Sequence, residues 1–129
     1  MNQNETSGGA SHSEHCRDCK KSVGDLLTRV YGSCVAGHAF AWATRPADYR
    51  GTLIGETLSA VFSALGALRG FKDFIKAEKL PPCDFYVIRP GFIVEFDEKQ
   101  HFTRPRAVTL RLYGSECRVG FSVSRWIDI

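Results

Sequence analysis

Three carboxylates, Asp84, Glu95 and Asp97, lie within or beside two apolar runs in the segment DFYVIRPGFIVEFDEKQHF, residues 84–102. Both runs are rich in Phe, Tyr, Val and Ile, which favours strands over residues 84–88 and 92–97, joined by a turn at RPGF. Strands of this composition are expected to be buried on both faces. Burying a carboxylate costs free energy unless a cation compensates its charge, so the pattern indicates a functional site.

The turn determines which residues of the two strands face each other. A turn centred on Pro90 and Gly91 places Asp84 opposite Asp97 and puts Glu95 on the same face of the hairpin. Opposed side chains are about 5 Å apart at Cβ, so the three acids are expected to converge at the open end of the hairpin. A register shift of one residue would separate them.

Converging carboxylates repel each other, and a hard divalent cation with oxygen ligands, Mg²⁺ or Mn²⁺, would relieve the repulsion. Ions of this kind serve phosphate chemistry, because they neutralise oxygen charge and generate a nucleophilic water. The alternative is structural: Arg89, Lys99, Arg104 or Arg106 would pair with the acids at a solvated edge.

The hairpin resembles the core of the PD-(D/E)XK nuclease superfamily, in which an acid on one strand is followed by acid-any-lysine on the next. PPCD corresponds to the first half and VEFDEKQHF to the second. The second half is similar to the very-short-patch-repair-like variant, which carries an acid and a downstream His. Glu56, on the helix that precedes the hairpin, matches a further acid of the family in position, although the helix macrodipole alone would favour an acid there.

This resemblance implies a Mg²⁺- or Mn²⁺-dependent endonuclease that hydrolyses phosphodiester bonds in DNA. Asp84 and Glu95 would be metal ligands, Asp97 a third ligand or a base, and Glu56 an additional or outer ligand. The implied fold is α/β, a restriction-endonuclease-like core with the Glu56 helix packed on a small mixed sheet and a central hairpin.

The sequence departs from the family at Asp97, which replaces the lysine that would position the attacking water. Lys99 could supply that charge, and Gln100 or His101 could orient the water. His101 could also act as general acid or base, because imidazole exchanges protons near neutral pH, or it could cap the strand end with one hydrogen bond. If none of these residues replaces the lysine, the chain is a non-catalytic nucleic-acid or protein interaction module that keeps the nuclease fold.

Basic residues around the motif could contact a phosphate backbone. Arg104 and Arg106 follow the hairpin directly, and Lys72 and Lys76 belong to a basic helix face that solvation explains equally well. DNA is the expected partner, and the sequence is compatible with a homodimer. Trp42, Trp126 and the phenylalanines are expected in the core rather than on a base-stacking surface.

The cysteines offer a different hypothesis. Cys16, Cys19, Cys34 and His38 have the spacing C-x2-C-x14-C-x3-H, which suits a structural Zn²⁺ and a small zinc-stabilised adaptor. The alternative is reduced thiols, with Cys34 packed as a small apolar residue. Cys83 is expected in the core, although a nucleophile pair with His101 is conceivable.

Apolar periodicity predicts the remaining elements. A helix is expected over residues 22–31, ended by Gly32, and a longer one over residues 52–79 with a break near Gly70. A short strand is expected near residues 39–42, and a short helix after Thr103, closed by Gly114. The expected organisation is a disordered tail (1–15), a helical and loop extension (16–51) and the nuclease-like core (52–129). The apolar ending RWIDI leaves open that the core is truncated.

Bulk properties set the frame for these hypotheses. The 129 residues suffice for one domain, and the formal net charge of +3 is compatible with a polyanionic partner. The apolar stretch at residues 58–68 is too short to cross a bilayer, so no membrane association is expected. Five cysteines without a recognisable signal peptide argue against a disulfide framework and favour the cytoplasm.

Overall fold

The computed structural model describes residues 16–70 and 77–129. The fold is mixed α/β, as expected: four α-helices accompany one three-stranded sheet in this part of the chain. The predicted disordered tail, Lys72 and Lys76 lie outside the described residues. The helices are α1 (Arg17–Tyr31), α2 (Gly55–Arg69), α3 (Arg104–Arg111) and α4 (Val123–Ile127), and the strands are β1 (Val35–His38), β2 (Cys83–Val87) and β3 (Phe92–Val94).

The predicted glycine stops end the first two helices. Gly32 follows α1 with φ 76° and Gly70 follows α2 with φ 77°, both in the left-handed region that lacks a Cβ penalty only for glycine. α1 begins at Arg17, about a turn and a half before the apolar pattern from which it was predicted. Residues 17–21 do not show that pattern because they are exposed or half-buried. The residues from 77 to 79 are not helical, so the longer predicted helix does not reach Lys79.

The described sheet is antiparallel throughout, with the order β1-β2-β3, where a mixed sheet was expected. The strand that accompanies the hairpin is β1, which lies four residues upstream of the strand predicted near residues 39–42. Val35 of β1 pairs with Tyr86 of β2. The segment expected as an N-terminal extension thus contributes both a helix and a strand beside the hairpin.

The hairpin register differs from the prediction by two residues. Tyr86 pairs with Ile93 and Val87 with Phe92 across a four-residue loop, residues 88–91. The longer loop takes Ile88 out of the ladder and brings Asp84 level with Glu95 instead of Asp97. Because side chains alternate with a period of two, a shift of two leaves Asp84 and Glu95 on one face.

The hairpin is buried on one face only. Cys83, Phe85 and Val87 are 6%, 5% and 0% exposed, whereas Ile88 and Ile93 on the other side are 47% and 40% exposed. α1 covers the buried face and approaches so closely that a Cβ at Gly24 would lie 2.7 Å from the ring of Phe85.

The helix that carries Glu56 has a different neighbour from the one expected. α2 packs against α3 and the short 3-10 helix Pro46–Tyr49, and α3 contributes the buried Leu110. The helix packed on β2 is α1. Hence α1, not α2, is the helix that positions side chains against the hairpin.

Candidate functional site

Two of the three predicted carboxylates meet at the open end of the hairpin. The Oε2 atom of Glu95 accepts a hydrogen bond from the backbone N–H of Asp84 at 3.2 Å. The Oδ2 atom of Asp84 accepts one from the backbone N–H of Phe96 at 2.8 Å. Each acid is thus held by the backbone of the opposite strand, which fixes both carboxylates beside each other.

A lysine from α1 completes this pair. The Nζ atom of Lys20 lies 2.5 Å from Oδ1 of Asp84, and the two side chains are 28% and 22% exposed. Gly24 lies one turn further along the same helix, against the ring of Phe85. The close approach of α1 to β2 therefore brings the Lys20 ammonium to the acids.

The two acids have opposite pKa shifts. Burial raises the pKa of Glu95 above its ordinary value, and the neighbouring charges of Asp84 and Asp97 raise it further. Burial also opposes ionisation of Asp84, but the hydrogen bond and charge of Lys20, with the Phe96 N–H, outweigh it and lower the pKa of Asp84. The site therefore favours the ionised form of Asp84 and disfavours the ionised form of Glu95.

Asp97 belongs to a separate cluster and does not join the pair. Its side chain is 8% exposed, and its Oδ2 accepts a hydrogen bond from Nη2 of Arg106 at 2.5 Å. Its Oδ1 lies 3.3 Å from Nδ1 of His101. The structural pairing considered for the hairpin acids therefore exists for Asp97, with Arg106 as the cation.

His101 has two partners for one nitrogen. Its Nδ1 lies 3.3 Å from the backbone N–H of Glu98 and 3.3 Å from Oδ1 of Asp97. A neutral Nδ1 can accept from Glu98, and a protonated Nδ1 can donate to Asp97, but one atom cannot do both. The two contacts of Nδ1 therefore exclude each other.

The three residues expected to replace the motif lysine form the short 3-10 helix Lys99–His101, and all three are exposed. Gln100 donates to Oε2 of Glu98 at 2.5 Å. The carboxylate of Glu98 also accepts from the backbone N–H of Cys16 at 2.9 Å, which ties this helix to the start of α1.

The other predicted site residues lie elsewhere or have other partners. Glu56 is exposed in the first turn of α2, where the helix macrodipole favours it. Arg104 is exposed at the first position of α3, as a phosphate contact requires. Arg106 instead pairs with Asp97, and its guanidinium carbon lies 5.9 Å from the ring centre of Trp126.

The donor chemistry allows two metal ligands on the hairpin. Asp84 and Glu95 offer hard carboxylate oxygens with an unbalanced negative charge, which suits Mg²⁺ or Mn²⁺. Asp97 does not fit as a third ligand in this conformation, because Arg106 and His101 already contact both of its oxygens. Across residues 16–70 and 77–129, no three His, Cys, Asp or Glu side chains are grouped as a metal site.

The cysteines of the zinc hypothesis are arranged differently. Cys16 and Cys19 form a disulfide, where reduced thiols were expected. A disulfide cannot donate two thiolates to Zn²⁺, so the proposed ligand set requires the reduced chain. His38 stacks on Tyr86 with ring centres 5.0 Å apart. Cys83 is buried as predicted, and burial raises the pKa of its thiol, which makes it a poor nucleophile.

A cavity of about 1460 Å³ opens beside these groups. Glu95, Asp97 and Arg106 contribute to its polar side, and aromatic rings alternate with aliphatic and small polar residues over the rest. Trp42, expected in the core, lines this cavity and is 55% exposed. The candidate site therefore borders a recess that is lined by Glu95, by the Asp97 cluster and by aromatic side chains.

Lys20 is the site residue that the sequence analysis missed. It precedes the apolar pattern from which the first helix was predicted, and it falls in the segment assigned to an extension outside the core. The one available signal was Gly24, four residues on, since a glycine inside an apolar helix pattern often marks a close approach.

Comparisons with protein-family models, with curated proteins and with solved structures find no match for this chain. In the part of the chain that the structure describes, no helix is long and apolar enough to cross a membrane.

Proposed function

We propose that the protein is a divalent-metal-dependent nuclease that hydrolyses phosphodiester bonds in DNA, with a restriction-endonuclease-like core. The observation that carries the proposal is the pair Asp84 and Glu95, fixed side by side by the opposite strand with Lys20 against Asp84. Two carboxylates at the end of a hairpin are the residues by which the sequence resembles the PD-(D/E)XK superfamily, and Lys20 adds the residue type that the motif lacks.

Each residue has a distinct task in this proposal. Asp84 and Glu95 would hold Mg²⁺ or Mn²⁺, which supplies charge neutralisation of the phosphate and a more acidic water. The ammonium of Lys20 would donate to a water or a phosphate oxygen beside Asp84, the task that the family gives to the lysine missing at Asp97. Arg104, exposed at the start of α3, would contact the backbone of the substrate.

Lys20 suits this task better than the three residues of the 3-10 helix. Its Nζ is already 2.5 Å from Asp84, and its helix is fixed against β2 through Gly24 and Phe85. Lys99 is exposed in that 3-10 helix, and no described contact joins it to Asp84 or Glu95. A lysine delivered from a different element would explain why the acid-x-lysine motif is incomplete.

A second function, a non-catalytic nucleic-acid or protein interaction module, is favoured by the Asp97 cluster. Asp97 is internally neutralised by Arg106, so this acid needs no metal to compensate its charge. On this view Lys20 is likewise a structural partner of Asp84, and nothing in the recess would cut.

The test is Mn²⁺ titration by calorimetry together with a plasmid-nicking assay, on wild type, Asp84→Asn and Glu95→Gln. The matched control is Asp25→Asn, an acid on α1 whose side chain is 63% exposed and paired with Lys21. We expect the control to behave as wild type. We expect both hairpin variants to lose nicking activity. We also expect their Mn²⁺ affinity to fall at least about tenfold, the smallest effect usual for removing a residue that orients a metal ligand.

The alternatives give different results. A wild type that binds Mn²⁺ through the hairpin and does not nick DNA would support the interaction module. A folded wild type that binds no Mn²⁺ would remove the metal-dependent nuclease altogether.

A further inference from the structure

The cavity beside the candidate site has two aromatic walls. One is formed by Phe40, Trp42 and Tyr86, which come from β2 and from the chain that leaves β1. The other is formed by Phe121 and Trp126, whose ring centres are 4.9 Å apart. We call the first group the aromatic wall and the second the C-terminal wall.

The rings of the aromatic wall support one another. Phe40 and Trp42 stack with centres 4.2 Å apart and planes 20° apart, and Phe40 meets Tyr86 edge to face at 5.0 Å. Trp42 nonetheless remains 55% exposed, because only part of its surface packs on Phe40. A large flat ring held by a neighbour and open to a cavity is suited to stack a further flat ring.

The wall is continuous with the hairpin acids. Tyr86 lies two residues from Asp84 on the same face of β2, and it pairs with Ile93, two residues from Glu95. Successive side chains on one face are about 7 Å apart along a strand. Tyr86 thus links the aromatic wall to the acids on one face of the sheet.

The cavity lining carries charges of both signs, with the acids Glu95 and Asp97 beside the cations Arg106 and Arg118. Asp97 is neutralised by Arg106, and Arg118 adds an exposed guanidinium to the lining. Nucleic acid satisfies both parts of such a recess, since bases stack on aromatic side chains and phosphates pair with arginines. Bases of an intact duplex are already stacked on each other and cannot enter.

We propose that this cavity binds an unpaired nucleobase, so that the substrate is single-stranded nucleic acid or a strand with an extruded nucleotide. Trp42, held by Phe40, is the stacking residue, and Arg118 contacts the backbone. The proposal rests on the proposed function for the class of ligand, but it needs neither a metal nor cleavage.

The test measures binding without divalent cations, so that cleavage plays no part. The quenching of tryptophan fluorescence is followed as oligothymidylate, oligouridylate or a mixed-sequence DNA duplex of the same length is added in EDTA. We expect both single strands to bind more tightly than the duplex, and Trp42→Ala to weaken single-strand binding by roughly 5- to 150-fold, the range for loss of one base stack. Because the variant lacks one fluorophore, its affinity is confirmed by anisotropy of labelled oligonucleotides.

Two controls separate stacking from general loss of apolar surface. Trp42→Phe retains a ring and should restore most of the affinity. Leu53→Ala removes an apolar side chain that is 83% exposed and does not line the cavity, and it should bind as wild type. Thermal melting of each variant confirms the fold, and retention is expected for Trp42→Ala because Trp42 is largely exposed.

The outcomes distinguish this proposal from the nuclease proposal. Binding of single strands through Trp42 by a protein that never nicks DNA would uphold the base site and refute the nuclease. Metal-dependent nicking with equal affinity of wild type and Trp42→Ala would uphold the nuclease and refute the base site. Preference for the duplex, or capture of a protein partner by Trp42 without any nucleic-acid binding, would also refute the base site.

Discussion

Replacement of Lys20 by methionine should expose the electrostatic cost of the acid pair. Methionine keeps most of the apolar stem and removes the ammonium 2.5 Å from Asp84. Asp84 would then remain partly buried next to Glu95 with no cation from α1. Loss of stability is expected because both the Coulomb attraction and one hydrogen bond disappear while the desolvation cost of Asp84 remains.

The size of the loss follows from the exposure of the pair. Two unit charges about 4 Å apart attract by about 4 kcal/mol at an effective dielectric constant of about 20. Fully exposed pairs contribute only about 0–1 kcal/mol after screening and loss of side-chain entropy. At 28% and 22% exposure, Lys20 and Asp84 lie between these limits, so we expect a loss of about 2 kcal/mol in the free energy of unfolding.

Urea denaturation measures this loss directly. With a denaturant slope of about 2 kcal/mol per M, the midpoint should fall by about 1 M. Lys21→Met is the matched control, since Lys21 is the next residue of α1 and pairs with Asp25 at 2.7 Å with both side chains more than 60% exposed. Its cost should be clearly smaller than that of Lys20→Met, because solvent screens exposed pairs on one helix.

A double-mutant cycle then assigns the effect to Asp84. In an Asp84→Asn background, Lys20→Met should cost less than about half of its value in wild type. If Lys20→Met and Lys21→Met cost the same, or if the cost of Lys20→Met is unchanged by Asp84→Asn, the reasoning about a partly buried pair is refuted.

Three further predictions concern the hairpin and the helix that follows it. Asp97→Ala should lower the free energy of unfolding by about 2–4 kcal/mol, because it leaves Arg106 without its carboxylate at a position where Asp97 is only 8% exposed; a cost below about 0.5 kcal/mol in urea would contradict this. Glu95→Gln should stabilise the protein near neutral pH and lose this advantage towards acid. Because the folded-state pKa of Glu95 lies above its ordinary value of 4.5, Glu95 contributes stability to the folded protein below pH 4.5, and this contribution is lost as the pH rises through the folded pKa. An advantage of Glu95→Gln that is independent of pH in urea melts would show that Glu95 titrates normally. Thr103→Ala should cost about 1 kcal/mol, because the Thr103 hydroxyl accepts from the backbone N–H of Arg106 at the start of α3; Thr103→Ser should cost much less, and equal costs in thermal melts would exclude the capping bond as the cause.

The elements of the hairpin could be predicted where local chemistry determines them. The Pro90-Gly91 turn and the glycines at 32 and 70 act through their own backbone preferences, and the structure confirms a hairpin and two helix ends at these places. The face shared by Asp84 and Glu95 was predicted because alternation depends only on parity. The register error of two residues therefore left this part of the candidate site intact.

The rest of the site depends on contacts between distant segments. The ion pair between Lys20 and Asp84 joins residues 64 positions apart in the sequence, and the packing of α1 on β2 that creates it has no local signature. For Asp97, the sequence offered several cations near the hairpin as partners and did not single out Arg106. Trp42 was assigned to the core by composition, whereas its exposure is decided by how the chain leaves β1.

The absent side chain of Gly24 sets the distance between α1 and the sheet. Phe85, which it faces, is 5% exposed and has no room to yield, so any larger residue at position 24 would lift the helix away from β2. Lys20 lies one turn away and would move with it. Selection for the recess would then act on Gly24, although Gly24 does not line the recess. In a set of orthologous sequences, Gly24 and Lys20 should therefore be kept together or lost together.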